Sequence, residues 1–410
     1  MTKKRIPLTF SVPEPISRPG QEPDFSAMAI PAAGEVRRPE VSCPAEEMKD
    51  MARTMVRVLN RDGTAVGPWA DLDSDPEDLL KGLRSMMRMR AFDDRMLSMQ
   101  RQGKTSFYIQ CSGEEAIAIA HQSALSPGDM NFPTYRQQGL LMAQDYPLET
   151  MICQILSNEK DPLEGRQMPT LHSVKDYGFF TVSGNLGTQF IHAVGWAMAS
   201  AIKGDSRIAS AWIGEGAAAE IDFHSALVNA SVYKPPVILN VVNNQWAISS
   251  FHGIAGGDHA TFAERAHGYD IPALRADGND FLAVRAVSKW AVERARRNLG
   301  PTLIEWVTYR AGAHSTSDDP GKYRPKHESD AWPLGDPVLR LKTHLINLGT
   351  WSEERHVQAE VEINEEIRDA SKEAEKSGVM GHGARVGAMF ENVYKTIPPH
   401  LVAQLNELES

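Results

Sequence analysis

From position 76 the stretch PEDLLKGLRSMMRMRAFDDRMLSMQRQG sets Leu79, Leu80, Leu83, Met86, Met87, Phe92, Met96 and Met99 at helical spacing. That period puts them on one face of a helix, which Gly103 ends. The methionines could line an adaptable binding surface, but a face turned to a core is the simpler reading. Beyond it, β-branched apolar runs alternate with stretches of helical period. The pattern predicts helices over 187–203, 218–232 and 281–298, and strands over 207–213, 236–242 and 302–309. Strands apolar on both faces, with helices between them, imply an α/β fold with a parallel sheet flanked by helices. A last periodic stretch, 352–376, is heavily charged and reads as a helix with a solvated face.

The first 75 residues break this regularity. Pro7, Pro13, Pro15, Pro19, Pro23 and Pro31 keep any helix or strand short, so 1–75 reads as an extended N-terminal arm. Composition leaves open whether it is disordered or wraps a partner, disorder being the commoner fate. The chain thus divides into the arm, an α/β domain over 76–335 and a helical C-terminal region over 336–410.

Bulk composition narrows the classes. The 410 residues, 42% hydrophobic and 23% charged, suffice for one large core with appendages or for two domains. A net charge of -10 without a basic stripe speaks against a nucleic-acid partner. Cys43, Cys111 and Cys153 are too few and too scattered for a disulfide framework or a zinc cage, which suits a reducing compartment. The opening MTKKRIPLTFSVPEPISRPG lacks the apolar run of ~7–15 residues of a secretory signal, and no later run reaches the ~18 of a membrane span. Early acidic residues, Glu14, Glu22 and Asp24, argue against a transit peptide. A cytoplasmic protein with no membrane partner is expected.

The candidate chemistry begins at AWIGEGAAAEIDF, residues 211–223. Gly214-Glu215-Gly216 followed by Ala217, Ala218 and Ala219 fits the G-x-G-x-x-G/A turn of a dinucleotide site. Such a site also needs an acidic residue at the tip of the next strand, and here that tip is Asn243-Asn244. The carboxylate sits instead inside the turn, at Glu215, where it would repel a pyrophosphate unless a cation lay between them. Magnesium fits: it takes one or two protein oxygens and completes its octahedron with phosphate and water. Glu215 and the Asn244 amide oxygen would converge at the carboxyl edge of the sheet, with the Trp246 carbonyl as a third ligand. A helix beginning near Ala218 would aim free N–H groups at the diphosphate.

Gly214-Glu215-Gly216, residues 217–242 intervening, then Asn243-Asn244 is the order and spacing of a thiamine diphosphate motif. Together with YRQQGLLMAQDYPLE, GRQMPTLHS, VVNNQWAIS and TYRAGAHSTSDD, it resembles the alpha subunit of the decarboxylating component of 2-oxo acid dehydrogenase complexes, most closely the branched-chain members. The likeness runs over about 79–399 and leaves the arm outside. It implies a thiamine diphosphate-binding fold and assigns roles. Tyr135 and Arg136, by themselves an ordinary surface-loop pair, would reach the diphosphate. Backbone near Gly184 would hold the aminopyrimidine, Leu186 would prop the cofactor in a bent form, and Gly214, Gly216 and Ala217 would cradle it. Ser183, Thr188 and Gln189 are where some members bind potassium, although Gly184-Asn185 departs from the usual Ser-Pro.

His314, on residue type alone a hydrogen-bonded structural histidine, would be the catalytic residue, standing in the channel on a loop shaped by Arg310, Asp318 and Tyr323. Ser315 matches a position phosphorylated in eukaryotic members. Val242 stands where relatives carry an arginine, Gln245-Trp246 where Gly-Tyr is common, and Ala313 where a second histidine is usual. The implied activity is oxidative decarboxylation of branched-chain 2-oxo acids, with acyl transfer to the lipoyl arm of an acyltransferase core. No second glycine-rich α/β unit is visible to supply the carboxylate that activates the cofactor ring, so a beta subunit in an α2β2 assembly is implied. Pyruvate or acetoin dehydrogenase is the nearer alternative and an NAD(P)-dependent oxidoreductase the distant one. A scaffold without activity is the third.

Overall fold

A computed structural model describes residues 8–70, 75–378, 386–391 and 393–410. The basic start read for targeting signals, 1–7, lies outside them. Five parallel strands form the central sheet: β1 Met130–Phe132, β2 Ala209–Gly214, β3 Val237–Asn243, β4 Ala273–Asp277 and β5 Thr302–Val307, in the spatial order β1-β2-β3-β5-β4. The register aligns Gly214 with Val242 and Asn243 with Val307, which brings the ends of three strands level. β3 and β5 are buried along their whole length, as expected of central strands covered on both faces. Their buried polar atoms are paired internally: Asn240 Nδ2 donates to Ala211 O at 2.9 Å, and Trp306 Nε1 donates to Asn240 Oδ1 at 2.9 Å.

Helices Pro76–Arg101, Thr188–Lys203, Ile221–Tyr233 and Phe281–Arg296 flank the sheet. The first begins at Pro76 under an Asp75 cap and buries Leu79, Leu83, Met86, Met87, Phe92, Met96 and Met99, the core-facing reading of its methionines. Leu80 is only partly buried at its edge. The charged helix Glu353–Glu375 is solvated on one side only. It buries Ile363, Ile367 and Ala374 and pairs Glu362 with Arg84 at 3.0 Å and Glu366 with Arg88.

The N-terminal region departs from the expectation of disorder. Val36, Val41, Met48, Met51, Val56, Val58, Leu59 and Trp69 enter the main core. Val56 pairs with β4, donating to Arg275 O at 2.8 Å and accepting from Asp277 N at 3.0 Å, so the segment covers an otherwise open sheet edge. A buried ion cluster locks it: Asp277 Oδ2 receives Arg57 Nε at 3.1 Å and Arg340 Nη1 at 2.8 Å. Among the described residues no helix is long and apolar enough to cross a membrane.

Candidate functional site

The loops after β1, β2, β3 and β5 converge at the carboxyl edge of the sheet around a cavity of about 500 Å³. This is where open parallel sheets place ligands. The cavity is lined by Tyr135, Arg136, Gly184, Leu186, Gly214, Glu215, Gly216, Ala217, Asn244, Trp246 and His314, and by Ser183 and Gln189 at its rim. Every cofactor position suggested by the sequence therefore faces one space; Thr188 stands just behind it, with Thr188 Oγ1 donating to Asn185 O at 3.0 Å.

The glycine turn is built differently from expectation. A single 3-10 turn, Gly216–Ala219, follows Glu215, and the α-helix begins only at Ile221. The N–H groups next to Glu215 belong to that turn, not to a helix starting at Ala218. Gly216 is required by its neighbour, since a Cβ there would lie 2.5 Å from the Ala247 Cβ. Gly214 has nothing within 4 Å where a Cβ would stand, on the side open to the cavity.

Glu215 is 1% exposed, and its Oε1 has no hydrogen-bond partner. Its Oε2 accepts only a long bond from Asn244 N, at 3.4 Å. Burial, and secondarily the nearby Glu114 carboxylate, push its carboxyl up to about 7. Glu114 Oε2 is likewise buried and unpartnered. Two such oxygens in one cavity call for a cation or a donor. Among the described residues no three His, Cys, Asp or Glu side chains gather as a metal cage. The available donors are instead a carboxylate, an amide and a carbonyl, the hard-oxygen set that magnesium shares with phosphate. Trp246 O already accepts from Arg310 Nη1 at 2.8 Å, which leaves one lone pair.

Gln245 precedes that carbonyl with φ +76°, a left-handed conformation that favours glycine. Its side chain compensates locally, Gln245 Nε2 donating to Asn243 Oδ1 at 3.0 Å.

His314 lies between two guanidinium groups. Arg136 Nη2 and Arg310 Nη1 each stand 3.4 Å from His314 Nδ1, and Arg136 Nη2 donates to its carbonyl at 3.1 Å. Guanidinium nitrogens only donate, so Nδ1 is the acceptor and Nε2 carries the proton, 3.5 Å from the Tyr135 hydroxyl. Burial and these cations depress its pKa to about 3. The loop is held from behind: Asp318 Oδ2 accepts from His314 N at 2.8 Å and from Tyr323 Oη at 2.6 Å, and Arg310 Nη2 donates to Tyr323 Oη at 2.6 Å. Ser315 is buried in the same loop. At the rim, Gln189 Nε2 donates to Ser183 O at 3.1 Å while its Oε1 is buried without a partner.

Glu114 is the residue the motifs did not reveal. It follows Gly113, whose φ of +94° and closeness to Tyr309 O admit only glycine, and it opens the helix Glu115–Gln122. The sequence signal was the acidic pair after a glycine in CSGEEAIAIA, which reads equally as a helix start.

Comparison with known proteins gives the chain a family. The family model described as dehydrogenase E1 component matches residues 83–381, and one described as 2-oxoisovalerate dehydrogenase E1 alpha subunit N terminal matches 6–46. The second match brings the arm into the family, contrary to the extent read from the motifs. The chain is 60% identical over 404 residues to the 2-oxoisovalerate dehydrogenase subunit alpha of Pseudomonas aeruginosa, covering 98% of each. It is 37% identical to the mitochondrial subunit of that name from Mus musculus, over 86% of this chain and 79% of the relative. It is also 37% identical to a pyruvate dehydrogenase E1 component subunit alpha from Acholeplasma laidlawii, over 81% of this chain and 92% of the relative. The chain belongs to the dehydrogenase E1 component family, on its 2-oxoisovalerate dehydrogenase alpha-subunit branch.

Proposed function

We propose that this chain acts as the alpha subunit of a thiamine diphosphate- and magnesium-dependent 2-oxo acid dehydrogenase. Its substrates are branched-chain 2-oxo acids such as 3-methyl-2-oxobutanoate, and the acyl group passes to a lipoyl arm on an acyltransferase core. The observation that carries the reading is the Glu215 carboxylate, buried in the glycine turn with Oε1 unpartnered, beside Asn244 in a cavity that Arg136 and His314 also line.

In this reading Glu215, Asn244 Oδ1 and the Trp246 carbonyl hold magnesium, and Arg136 with Tyr135 takes the diphosphate. Gly214, Gly216 and Ala217 let the ligand approach the backbone, while Gly184 and Leu186 meet its other end. When bound, thiamine diphosphate supplies the nucleophilic carbon for the 2-oxo group and the sink for the electrons released with carbon dioxide. The chain's own work is to bind, orient and exclude water. In the cofactor-free site His314 keeps a proton on Nε2 and offers it as a hydrogen-bond donor in the cavity, since burial, and secondarily its neighbouring cations, hold the ring neutral. Potassium at Ser183, Thr188 and Gln189 would brace the rim; the unpartnered Gln189 Oε1 supports it.

In this reading a beta subunit completes the site in an α2β2 assembly; among the described residues the cavity lining holds no carboxylate beyond Glu114 and Glu215. The test is co-expression with the cognate beta chain and measurement of kcat/KM for 3-methyl-2-oxobutanoate and for pyruvate. A clear preference for the branched acid supports the reading. A preference for pyruvate would move the substrate assignment to the second branch, toward which the Acholeplasma relative points.

A further inference from the structure

Glu114 has no role in the account above, yet it touches two of its central residues. It is 2% exposed, its Oε1 accepts from Asn244 Nδ2 at 2.7 Å and lies 3.5 Å from Arg136 Nε, and its Oε2 is buried beside the cavity without a partner. A carboxamide has two ends of nearly equal size and opposite chemistry: Oδ1 attracts a cation and Nδ2 repels one. Only hydrogen bonding decides which end faces a site. At Asn244 the other contact is weak and favours the same orientation, Trp246 N donating to Oδ1 at 3.3 Å, whereas the bond to Glu114 is short.

We infer that Glu114 is a positioning residue that fixes the orientation of the Asn244 amide, turning its oxygen to the divalent cation and leaving Glu114 Oε2 to accept from a water of that cation's shell. The inference rests on the reading that Glu215 and Asn244 hold such a cation. Outer groups of this kind orient ligands without touching the metal, and their loss typically weakens binding about 10–100-fold.

The experiment counts free Mn2+ by electron paramagnetic resonance in the assembled alpha–beta enzyme at saturating thiamine diphosphate. Wild-type uptake of Mn2+ tests the underlying reading by itself, and no uptake overturns both. Given uptake, E114A should weaken Mn2+ binding by about 10-fold or more, whereas E114Q, which keeps an acceptor for Asn244, should stay within about threefold. Thermal melting reports whether each variant folds; if E114A does not, E114M fills the space without an acceptor and should show the same loss. E114Q as weak as the variants without an acceptor would mean that charge alone acts. Unaltered affinity in E114A or E114M would equally overturn the positioning role.

Discussion

Replacing Glu215 with glutamine separates what the residue costs the fold from what it does for the site. In the metal-free protein its carboxyl is pushed up to about 7 from an ordinary 4.5, chiefly by burial. That difference, about 2.5 units at 1.36 kcal/mol each, is about 3 kcal/mol. The folded pKa lies above the unfolded one. The stabilising contribution of the protonated acid is therefore complete below about 4.5 and is lost as pH rises through about 7. At pH 8 the wild type carries the whole burden of a buried, unpaired charge, and E215Q does not. With an unfolding entropy of about 2 cal/mol/K per residue over the 410 residues, 3 kcal/mol corresponds to about 4 °C. E215Q should thus melt up to about 4 °C above wild type at pH 8 without metal, the gap closing toward pH 5. Magnesium with thiamine diphosphate should reverse the order, raising the wild type and leaving E215Q where it was. Differential scanning fluorimetry across pH reads both effects. An E215Q that melts at or below wild type at pH 8 without metal, or that keeps the magnesium-dependent rise, would refute the reasoning.

Three further outcomes follow from the geometry. His314, held neutral by burial and two guanidiniums with a pKa of about 3, should not titrate between pH 5 and 8 in the cofactor-free protein; an imidazole NMR titration near 6.5 that H314F abolishes would contradict this. Asp277→Asn strips Arg57 of its charge partner and Arg340 of one of two, the other being Asp280, in a buried cluster, so chemical denaturation should show a loss of about 3–5 kcal/mol, with protease cutting first in the N-terminal segment. Gly113→Ala would set a Cβ 2.2 Å from the Tyr309 carbonyl at φ +94°, and the chain should lose its cooperative melt or its solubility.

The three long strands and the main helices were legible because their burial on both faces leaves continuous apolar runs, as in VILNVVN of β3. β1 and β4 were not: three and five residues leave no period to read. The N-terminal segment misled because proline density reports only the absence of regular structure. What orders it is burial of its scattered apolar residues in the main core, with a bridge at Val56 and ion pairs to residues more than 200 positions away. Within the site, Glu215 and Asn244 stood out as a conflict with the dinucleotide pattern, while Glu114 did not, because its importance lies in a 2.7 Å contact across 130 positions. The 3-10 turn after Glu215 was hidden as well, since a run of alanines is the strongest of helix formers.

The central claim is that a cation must lie between Glu215 and a diphosphate. It is tested most directly by calorimetric titration of thiamine diphosphate into the assembled alpha–beta enzyme, once with magnesium and once with EDTA. Saturable binding with magnesium, weakened by at least about tenfold in EDTA, is the predicted result. Equal affinity in EDTA, or NAD+ displacing thiamine diphosphate from the same cavity, would contradict it.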